Sequence, residues 1–359
     1  MNHGSPIRKK VLRGPLRHYS MAIALLLSAN RAFAQASSTP DEAPSTVIHA
    51  SSELVLLDAL VENRKTGEVI GPFVRDDFNI YEDGVQQKIS YFSHDQLPLS
   101  VVFLFDLTET VRPILKPLAE AAHEVLGHLK PEDEAAIMVF SSHTELLQDF
   151  TTDRSLAASA MEKASTMKSN DGTFIHEDMF EAVQQASNHP APGRRRVLIW
   201  LTDGTSNYEN ALTQKTIGKS APAHLHTKVD AIAELRHSDI VVSALIDRSA
   251  KTDALMTVSA VNPFSFIAGG RIGDIRKYAD MTGGPVLNTS KTDVAARLDL
   301  LIDQIRARYT LGYRPSTESN AKEGGFHSLR VALSPSSYKE HAALAHGDIA
   351  VRAKSGYFR

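Results

Sequence analysis

The chain of 359 residues is long enough for one large domain with additions or for two domains of ordinary size. Hydrophobic residues make up 42% of it and charged residues 23%, which favours a globular protein with a packed core over a disordered one. The formal net charge is −3 and there is no cysteine, so a disulfide framework and thiolate metal sites are excluded.

The first 34 residues have the pattern of a secretory signal peptide. Basic residues precede a short apolar run at 21–29, and the small residues of an Ala-Phe-Ala sequence end at Ala34. An uncleaved membrane anchor is the alternative, but a run of nine residues is much shorter than the roughly 20 that a spanning helix needs. We therefore expect an exported bacterial protein, periplasmic or secreted, whose mature chain has no membrane span.

Removing this segment changes the charge of the chain. Six of the 39 Lys and Arg residues and none of the 42 acidic residues lie in it, so the remainder has 33 basic and 42 acidic side chains and a net charge of −9. This surplus of acid argues against nucleic acid as a partner, because binding to DNA or RNA depends on neutralising phosphates. Residues 35–50, rich in Pro, Ser, Thr and Ala, are predicted to be a flexible leader.

Both ends of the remaining chain show β character. In residues 51–97, strand-like runs alternate with turn signals, and Asp83-Gly84 between two such runs is typical of a β-hairpin. Residues 309–359 are predicted to hold three strands joined by polar loops. Each flank has about 50 residues, which is marginal for an independent fold. Joined, they would make one β-sandwich into which the intervening domain is inserted.

Residues 98–308 alternate strand-length apolar runs with helical patterns. The strand runs are 100–106, 134–140, 195–203, 239–247 and 285–288, and the helical patterns are near 111–129, 153–168, 175–188, 227–237, 272–282 and 292–308. Apolar strands that alternate with helices predict an α/β fold with a doubly wound, mostly parallel sheet covered on both faces. The short run at 144–150 is predicted to be an antiparallel edge strand.

Polar side chains follow two of these strands. In "VVFLFDLTET", Asp106 ends the first strand and Thr108 and Thr110 come directly after it, while Asp203 ends the third strand. Ligands of open α/β sheets bind beyond the carboxyl ends of the strands, so we expect the two carboxylates to meet there. Each residue alone has a simpler explanation, with a threonine as the cap of the next helix and Asp203-Gly204 as a bare turn.

The order D-x-T-x-T, then a Gly-Thr loop at Thr173, then T-D-G resembles the metal-ion-dependent adhesion site (MIDAS) of von Willebrand factor A-type (VWA) domains. The family pattern has serine at the two places where this chain has Thr108 and Thr110. The resemblance covers residues 98–308 and implies the family's Rossmann-like fold. The flanks also resemble those of a VWA-related group of exported acidobacterial proteins, for which no activity is implied.

The resemblance implies a divalent cation site. Its ligands would be Asp106, Thr108, Thr110, Thr173 and Asp203. Mg²⁺, which prefers six oxygen ligands, is the expected ion, with Mn²⁺ or Ca²⁺ as alternatives. In the family one ligand position stays open for an acidic side chain of a partner protein, which implies a protein-binding adhesion module and not an enzyme.

Two other functions remain open at this point. The threonine methyl groups restrict χ1 and crowd the site, so a structural or assembly module with a weak or vestigial metal site is the alternative. A metal-dependent hydrolase is the third possibility, but the pattern supplies no general base or activated nucleophile beside Asp106 and Asp203. The sequence does not identify the oligomeric state.

Three further motifs give weaker signals. The three arginines at 194–196 precede an apolar strand and indicate a solvated loop, with recognition of an acidic partner as the alternative. "HLHTK" at 224–228 has two imidazoles but no third ligand, so it also indicates a solvated loop. "GGRIGD" at 269–274 lacks the position and spacing of a nucleotide-binding loop.

Overall fold

The computed structural model describes residues 54–168, 173–204, 225–248, 272–315, 325–344 and 348–358. These residues form a central, mostly parallel sheet with helices on both faces and two antiparallel sheets beside it. The predicted α/β fold class is therefore confirmed. In the described part of the chain, no helix combines the length and apolarity that crossing a bilayer requires. The predicted signal peptide (1–34) and leader (35–50) lie outside the described residues.

The secondary structure follows the predicted alternation. The described strands are β1 (Val55–Asn63), β2 (Phe78–Glu82), β3 (Val85–Gln87), β4 (Ile89–Ser93), β5 (Leu99–Asp106), β6 (Glu134–Phe140), β7 (Thr144–Thr151), β8 (Arg195–Thr202), β9 (Val241–Asp247), β10 (Val286–Thr289), β11 (Tyr309–Tyr313), β12 (Phe326–Leu333), β13 (Ile349–Ala353) and β14 (Gly356–Phe358). The described α-helices are α1 (Arg112–Glu120), α2 (Ala122–Gly127), α3 (Arg154–Thr166), α4 (Ile175–Asn188), α5 (Lys228–His237), α6 (Ile272–Thr282), α7 (Val294–Arg306) and α8 (Pro335–Leu344).

The strand order of the central sheet positions the candidate site. The order is β10-β9-β8-β5-β6-β7, and every neighbouring pair is parallel except β6 and β7, so β7 is the antiparallel edge strand that the sequence predicts. The chain runs outward from β5 through β6 and β7 and then crosses back to β8 on the other side of β5. The strand order therefore reverses beside β5, which is where such sheets bind ligands.

Alternate side chains of the central strands enter two separate cores. On β5, Val101, Phe103 and Phe105 pack with residues of α1, α2, α3 and α7 on one face. Val102 and Leu104 pack with residues of α4, α5 and α6 on the other face. Because both faces are covered, all eight residues of β5 are buried, which explains its nearly continuous apolar sequence.

The two flanks of the chain combine into two antiparallel sheets. Their strand orders are β13-β1-β11-β4 and β14-β12-β2-β3, so each sheet contains strands from both flanks. One apolar cluster, which includes Ala59, Ile80 and Leu311, joins the two sheets, as a β-sandwich requires. The predicted hairpin is present: Glu82 pairs with Val85, and the two turn residues between them have positive φ.

Several elements differ from the sequence prediction. The C-terminal flank has four strands rather than three, because the last run divides into β13 and β14, which pair in different sheets. The sequence reasoning also missed α8, although Ser334-Pro335 is a recognisable start signal: Ser334 accepts the amide N–H of Ser337 on its side chain and that of Tyr338 on its carbonyl. The helix predicted near 111–129 is divided at Ala121 into α1 and α2.

The arginine triplet is not a solvated loop. Arg195 is the first residue of β8 and is only 4% exposed. Its guanidinium donates to both carboxylate oxygens of Asp58 on β1, at 2.6 and 3.2 Å, and to the carbonyl oxygen of Ile305 at 3.0 Å. A buried arginine at this position is explained by the contact between the central sheet and the flanking sheet, which the sequence reasoning did not anticipate.

Candidate metal site

Asp106, the last residue of β5, is fully buried and held in one orientation. Its Oδ1 accepts a hydrogen bond from the backbone N–H of Thr108 at 2.9 Å. Its Oδ2 accepts a hydrogen bond from the hydroxyl of Thr202, the last residue of the neighbouring β8, at 2.8 Å. The sheet and the following loop therefore fix this carboxyl group from two sides.

The other predicted residues of the sheet edge converge on the same place. The hydroxyl oxygens of Thr108 and Thr110 lie 3.2 Å apart, and the Thr110 hydroxyl donates a hydrogen bond to Oδ2 of Asp203. Asp203 follows β8 and is 1% exposed, whereas Thr110 is exposed. Two carboxyl groups and two hydroxyl groups from separate loops are thus linked, with the exposed end at Thr110.

The two threonine side chains do not cap the following helix. The N-cap residue of α1 is Val111, and no side chain makes a capping hydrogen bond there. Only the carbonyl oxygen of Thr108 takes part, by accepting the N–H groups of Val111 and Arg112. The simpler explanation for these hydroxyl groups, helix capping, therefore does not apply.

Negative charge is unfavourable at this edge of the sheet. Burial, and next the charge of Asp203, raise the pKa of Asp106 to about 7, although hydrogen bonds from Thr108 and Thr202 lower it. A carboxyl group in this state gains stability if a cation neutralises it. The site thus has an electrostatic reason to accept a positive ion.

Thr173 occupies a different element from the other four residues. It lies two residues before α4 and is fully buried. The hydrogen bonds described above link Asp106, Thr108, Thr110 and Asp203 and do not involve Thr173, so its role as a ligand stays a prediction.

Asp178, on the first turns of α4, is a buried acidic residue that the sequence reasoning missed. Its Oδ1 accepts a hydrogen bond from Thr144 at 3.1 Å, and in the described part of the chain its Oδ2 has no hydrogen-bond partner. Burial raises the pKa of Asp178 well above its usual value, and the nearby charge of Asp106 adds to this effect. The sequence does contain a sign that Asp178 is buried. It precedes the buried Ala182 by four residues, which places both on the helix face that enters the core.

The donor chemistry fits a hard cation such as Mg²⁺. Among the described residues, no group of three or more His, Asp or Glu side chains could hold a metal ion on its own. A cation at this edge would therefore depend on the hydroxyl oxygens of Thr108 and Thr110 as well as on the carboxylates. All of these donors are oxygens, which suits Mg²⁺, Mn²⁺ or Ca²⁺ better than a soft metal.

The histidine motif contributes no metal site in the described residues. His226 precedes α5, its Nδ1 lies 3.0 Å from Oε2 of Glu177, and its ring stacks on Phe180 with centroids 3.6 Å apart. These contacts explain the residue as part of the packing between α4 and α5. The other histidine of the motif, His224, and the first three residues of the "GGRIGD" sequence, 269–271, lie outside the described residues.

The fold and the polar edge define an α/β domain with a candidate cation site at the carboxyl ends of its strands. Residues 101–205 match the family model of the von Willebrand factor type A domain. That segment contains Asp106, Thr108, Thr110, Thr173 and Asp203, so the predicted resemblance to von Willebrand factor type A domains is confirmed for it. The narrower resemblance to one bacterial group stays a prediction. No curated protein matches the chain.

Three solved structures are similar to this chain over part of its length. The chain is similar to a von Willebrand factor type A protein from Catenulispora acidiphila, with 11% identity, coverage of 79% of this chain and 70% of that one, and a TM-score of 0.42. It is similar to the von Willebrand factor domain of the type V pili tip protein from Porphyromonas gingivalis, with 11% identity, coverage of 59% and 96%, and a TM-score of 0.41. It is also similar to proximal thread matrix protein 1 from the mussel byssus with a zinc-occupied MIDAS motif, with 13% identity, coverage of 62% and 49%, and a TM-score of 0.38.

Proposed function

We propose that this protein is an exported protein-binding module of the adhesion type, which uses a divalent cation to bind an acidic group of a partner protein. The observation that carries the proposal is the convergence of Asp106, Thr108, Thr110 and Asp203 at the edge where the strand order reverses. Magnesium is the expected ion, with manganese or calcium as alternatives.

The proposed roles differ among the four residues. Thr108, Thr110 and Asp203 would present oxygens to the ion from the exposed side of the site. Asp106 would neutralise the charge of the ion from the buried side. When bound, the cation supplies a positive centre that attracts a carboxylate from outside. Because only two of these four donors carry charge, the ion would keep enough positive charge to attract that carboxylate. Thr173 would supply a further oxygen.

A second candidate function rests on one specific observation. The hydroxyl groups of Thr108 and Thr110 and the carboxylate of Asp203 hydrogen-bond to one another, so an ion would have to compete with these bonds for the same oxygens. This favours a structural or assembly module in which the metal site is weak or vestigial. A metal-dependent hydrolase ranks third, because no specific observation at this edge favours it over the two binding functions. We assign no catalytic residue.

Titration calorimetry distinguishes the first two functions. The purified protein is titrated with MgCl₂ and with MnCl₂, and the titration is repeated on Asp106→Asn and on Thr110→Val. We expect saturable binding to the unmodified protein and at least tenfold weaker binding to both variants. As a matched control, Thr292→Val changes a threonine in the turn between β10 and α7, three strands along the sheet from β5, and should bind like the unmodified protein.

The partner is tested separately from the ion. Proteins of the bacterial envelope are passed over the immobilised protein in Mg²⁺ and again in chelator, and the captured proteins are compared with those held by Asp106→Asn. Retention that depends on both Mg²⁺ and Asp106 supports the adhesion function. Saturable metal binding without metal-dependent retention favours the assembly function, and a silent titration favours the vestigial site.

A further inference from the structure

Strand β1 is paired along only part of one edge. It pairs with β11 from Val55 to Ala59 and with β13 from Ala59 to Asn63. Residues 55–58 therefore have β11 on one side, and no strand of the described residues is paired with them on the other. This open stretch is four residues long, or about 13 Å at the rise of a β-strand.

The path of the chain after β13 explains why the edge is open. Beyond Ala353 the backbone leaves β1: the N–H of Ser355 donates to the carbonyl oxygen of Met281 at 2.9 Å, and the carbonyl oxygen of Ser355 accepts the N–H of Leu329 at 2.8 Å. The next strand, β14, then pairs with β12 in the other sheet. The strand that covers one half of β1 therefore cannot cover the other half.

The backbone groups that face this gap follow from the register. Arg64 donates its N–H to Asp348 on the β13 side at 2.7 Å. Backbone groups of a strand alternate between its two neighbours, so the even-numbered residues of β1 direct their N–H and C=O groups to that side. Leu56 consequently points its N–H and C=O into the gap, and its side chain is 54% exposed.

A cleft of about 780 Å³ lies along this open edge. It is lined by residues 54–58 and, among others, by Tyr357 and Phe358 of β14. Its charged lining residues are the three arginines at 194–196 and Lys354, against two acids, Asp58 and Asp239. A surplus of positive charge in a protein with net charge −3 favours an acidic partner.

Two of the cations retain donors for a ligand. The side chains of Arg194 and Lys354 are 25% and 19% exposed. Arg194 donates to the carbonyl oxygen of Glu132, and its Nε lies 3.9 Å from Oε1 of Glu134. Lys354 donates to the carbonyl oxygen of Ser238 at 2.7 Å and to Oδ1 of Asp239 at 3.4 Å. A guanidinium has five N–H donors and an ammonium has three, so these contacts leave further donors available.

We propose that this edge binds an extended segment of a partner protein, which adds to β1 as a strand at residues 55–58 and places acidic side chains near Arg194 and Lys354. Main-chain hydrogen bonds would give the affinity, and the cleft charge would select acidic segments. The surface lies at the starts of β8 and β9, whereas Asp106 and Asp203 lie at the ends of the strands. The interaction is therefore independent of the proposed cation.

Fluorescence anisotropy tests this proposal with a fluorescein-labelled octapeptide of alternating Glu and Val residues. Its matched controls are the same peptide with every backbone amide N-methylated, which has no N–H donor on either edge, and an octapeptide of alternating Lys and Val. Titrations of the full protein are made in chelator, so that the outcome does not depend on the cation site. We expect saturable binding of the Glu-Val peptide and at least tenfold weaker binding of both controls.

Two substitutions of Leu56 distinguish the contribution of its backbone N–H to peptide binding from that of its side chain. Leu56→Pro removes the N–H that faces the gap and should weaken binding at least tenfold, while Leu56→Ala keeps that N–H and should stay within threefold of the unmodified protein. Thermal melting checks that the proline variant is folded, and if it is not, the N-methylated peptide decides the question. No saturation at 1 mM peptide, or equal affinity for the N-methylated peptide, would overturn the proposal.

Discussion

Thr202 donates a hydrogen bond to Oδ2 of Asp106 at 2.8 Å and so joins the ends of two neighbouring parallel strands. The same hydroxyl oxygen accepts the N–H of Gly204 at 3.0 Å, which fixes the turn that follows Asp203. The Thr202 side chain therefore orients the carboxyl group of Asp106 and fixes the backbone next to Asp203. The sheet thus sets the geometry of the candidate site.

We expect Thr202→Val to disturb both of these contacts. Valine has nearly the same shape but leaves Oδ2 of Asp106 and the N–H of Gly204 without their partner, and burying such groups costs about 1–3 kcal/mol. The free energy of unfolding, measured by urea denaturation, should fall by about that amount, and Mg²⁺ binding should weaken. Thr202→Ser keeps the hydroxyl and should retain metal binding; an equal loss of binding in both variants would contradict this role.

The sequence predicted the placement of Asp106 and Asp203 because strand ends of a parallel sheet can be located from apolar runs alone. It did not reveal the function of Thr202, since threonine at the end of a strand is unremarkable until the neighbouring strand is known. The pairing of Asp58 with Arg195, 137 residues apart, was missed for the same reason. Contacts within one element can be read from periodicity, whereas these polar contacts depend on which strands become neighbours.

Replacing Asp106 by asparagine should have opposite effects on stability and on metal binding. The raised pKa means that the ionised side chain is less stable in the folded protein than in the unfolded one, so removing the charge should raise the free energy of unfolding at pH 8 by at least about 1 kcal/mol in chelator. The added stability that Mg²⁺ gives the unmodified protein should be lost. Thermal melting with and without Mg²⁺ measures both effects, and a variant that Mg²⁺ still stabilises would contradict the assignment of Asp106.

The Asp106 carboxyl group should make both the stability of the protein and its affinity for metal depend on pH. Because the pKa of Asp106 is raised to about 7 in the folded state from 3.8, the folded protein binds more protons between these values, and metal-free stability should fall as the pH rises from 4 to 7. A cation must displace that proton, so its affinity should fall about tenfold for each pH unit below 7. Calorimetry at pH 5.5, 6.5 and 7.5 checks the second trend, and an affinity that is constant over this range would contradict it.

The Asp58–Arg195 ion pair should stabilise the contact between the central sheet and the flanking sheet. Burial alone would raise the pKa of Asp58, but the charge and hydrogen bonds of Arg195 outweigh it and lower the pKa. This contribution is therefore present above the unfolded value of 3.8 and is lost as the pH falls below it. Asp58→Asn leaves the arginine charge buried, and we expect a loss of about 3 kcal/mol in urea denaturation at pH 7.

The exposed Asp239 supplies the control for this prediction. Its side chain is 87% exposed and lies 3.4 Å from Lys354, so Asp239→Asn should change the free energy of unfolding by less than about 1 kcal/mol. The difference between the two variants should narrow as the pH is lowered below 3.8, where the unfolded chain takes up a proton at Asp58. Equal losses at pH 7 would show that the buried pair contributes no more than a surface pair.

Gly283 lies at a second contact between the α/β domain and the flanking antiparallel sheets. It follows α6 with φ of 75°, and a Cβ atom there would lie 2.6 Å from the backbone of Ala353 on β13. Gly193 also has a positive φ, 69°, but a Cβ atom there would meet no atom within 4 Å. Gly193→Ala should therefore cost about 1 kcal/mol for the backbone conformation alone.

Gly283→Ala should cost this amount and about 1–3 kcal/mol more, because the added methyl group forces β13 and the end of α6 apart. The Arg308 side chain also donates to the carbonyl oxygen of Gly283, so the displacement would disturb a buried guanidinium. Urea denaturation of the two variants gives the difference directly. Equal losses in the free energy of unfolding for Gly193→Ala and Gly283→Ala would contradict this prediction. They would show that the contact between β13 and Gly283 accommodates a methyl group without cost.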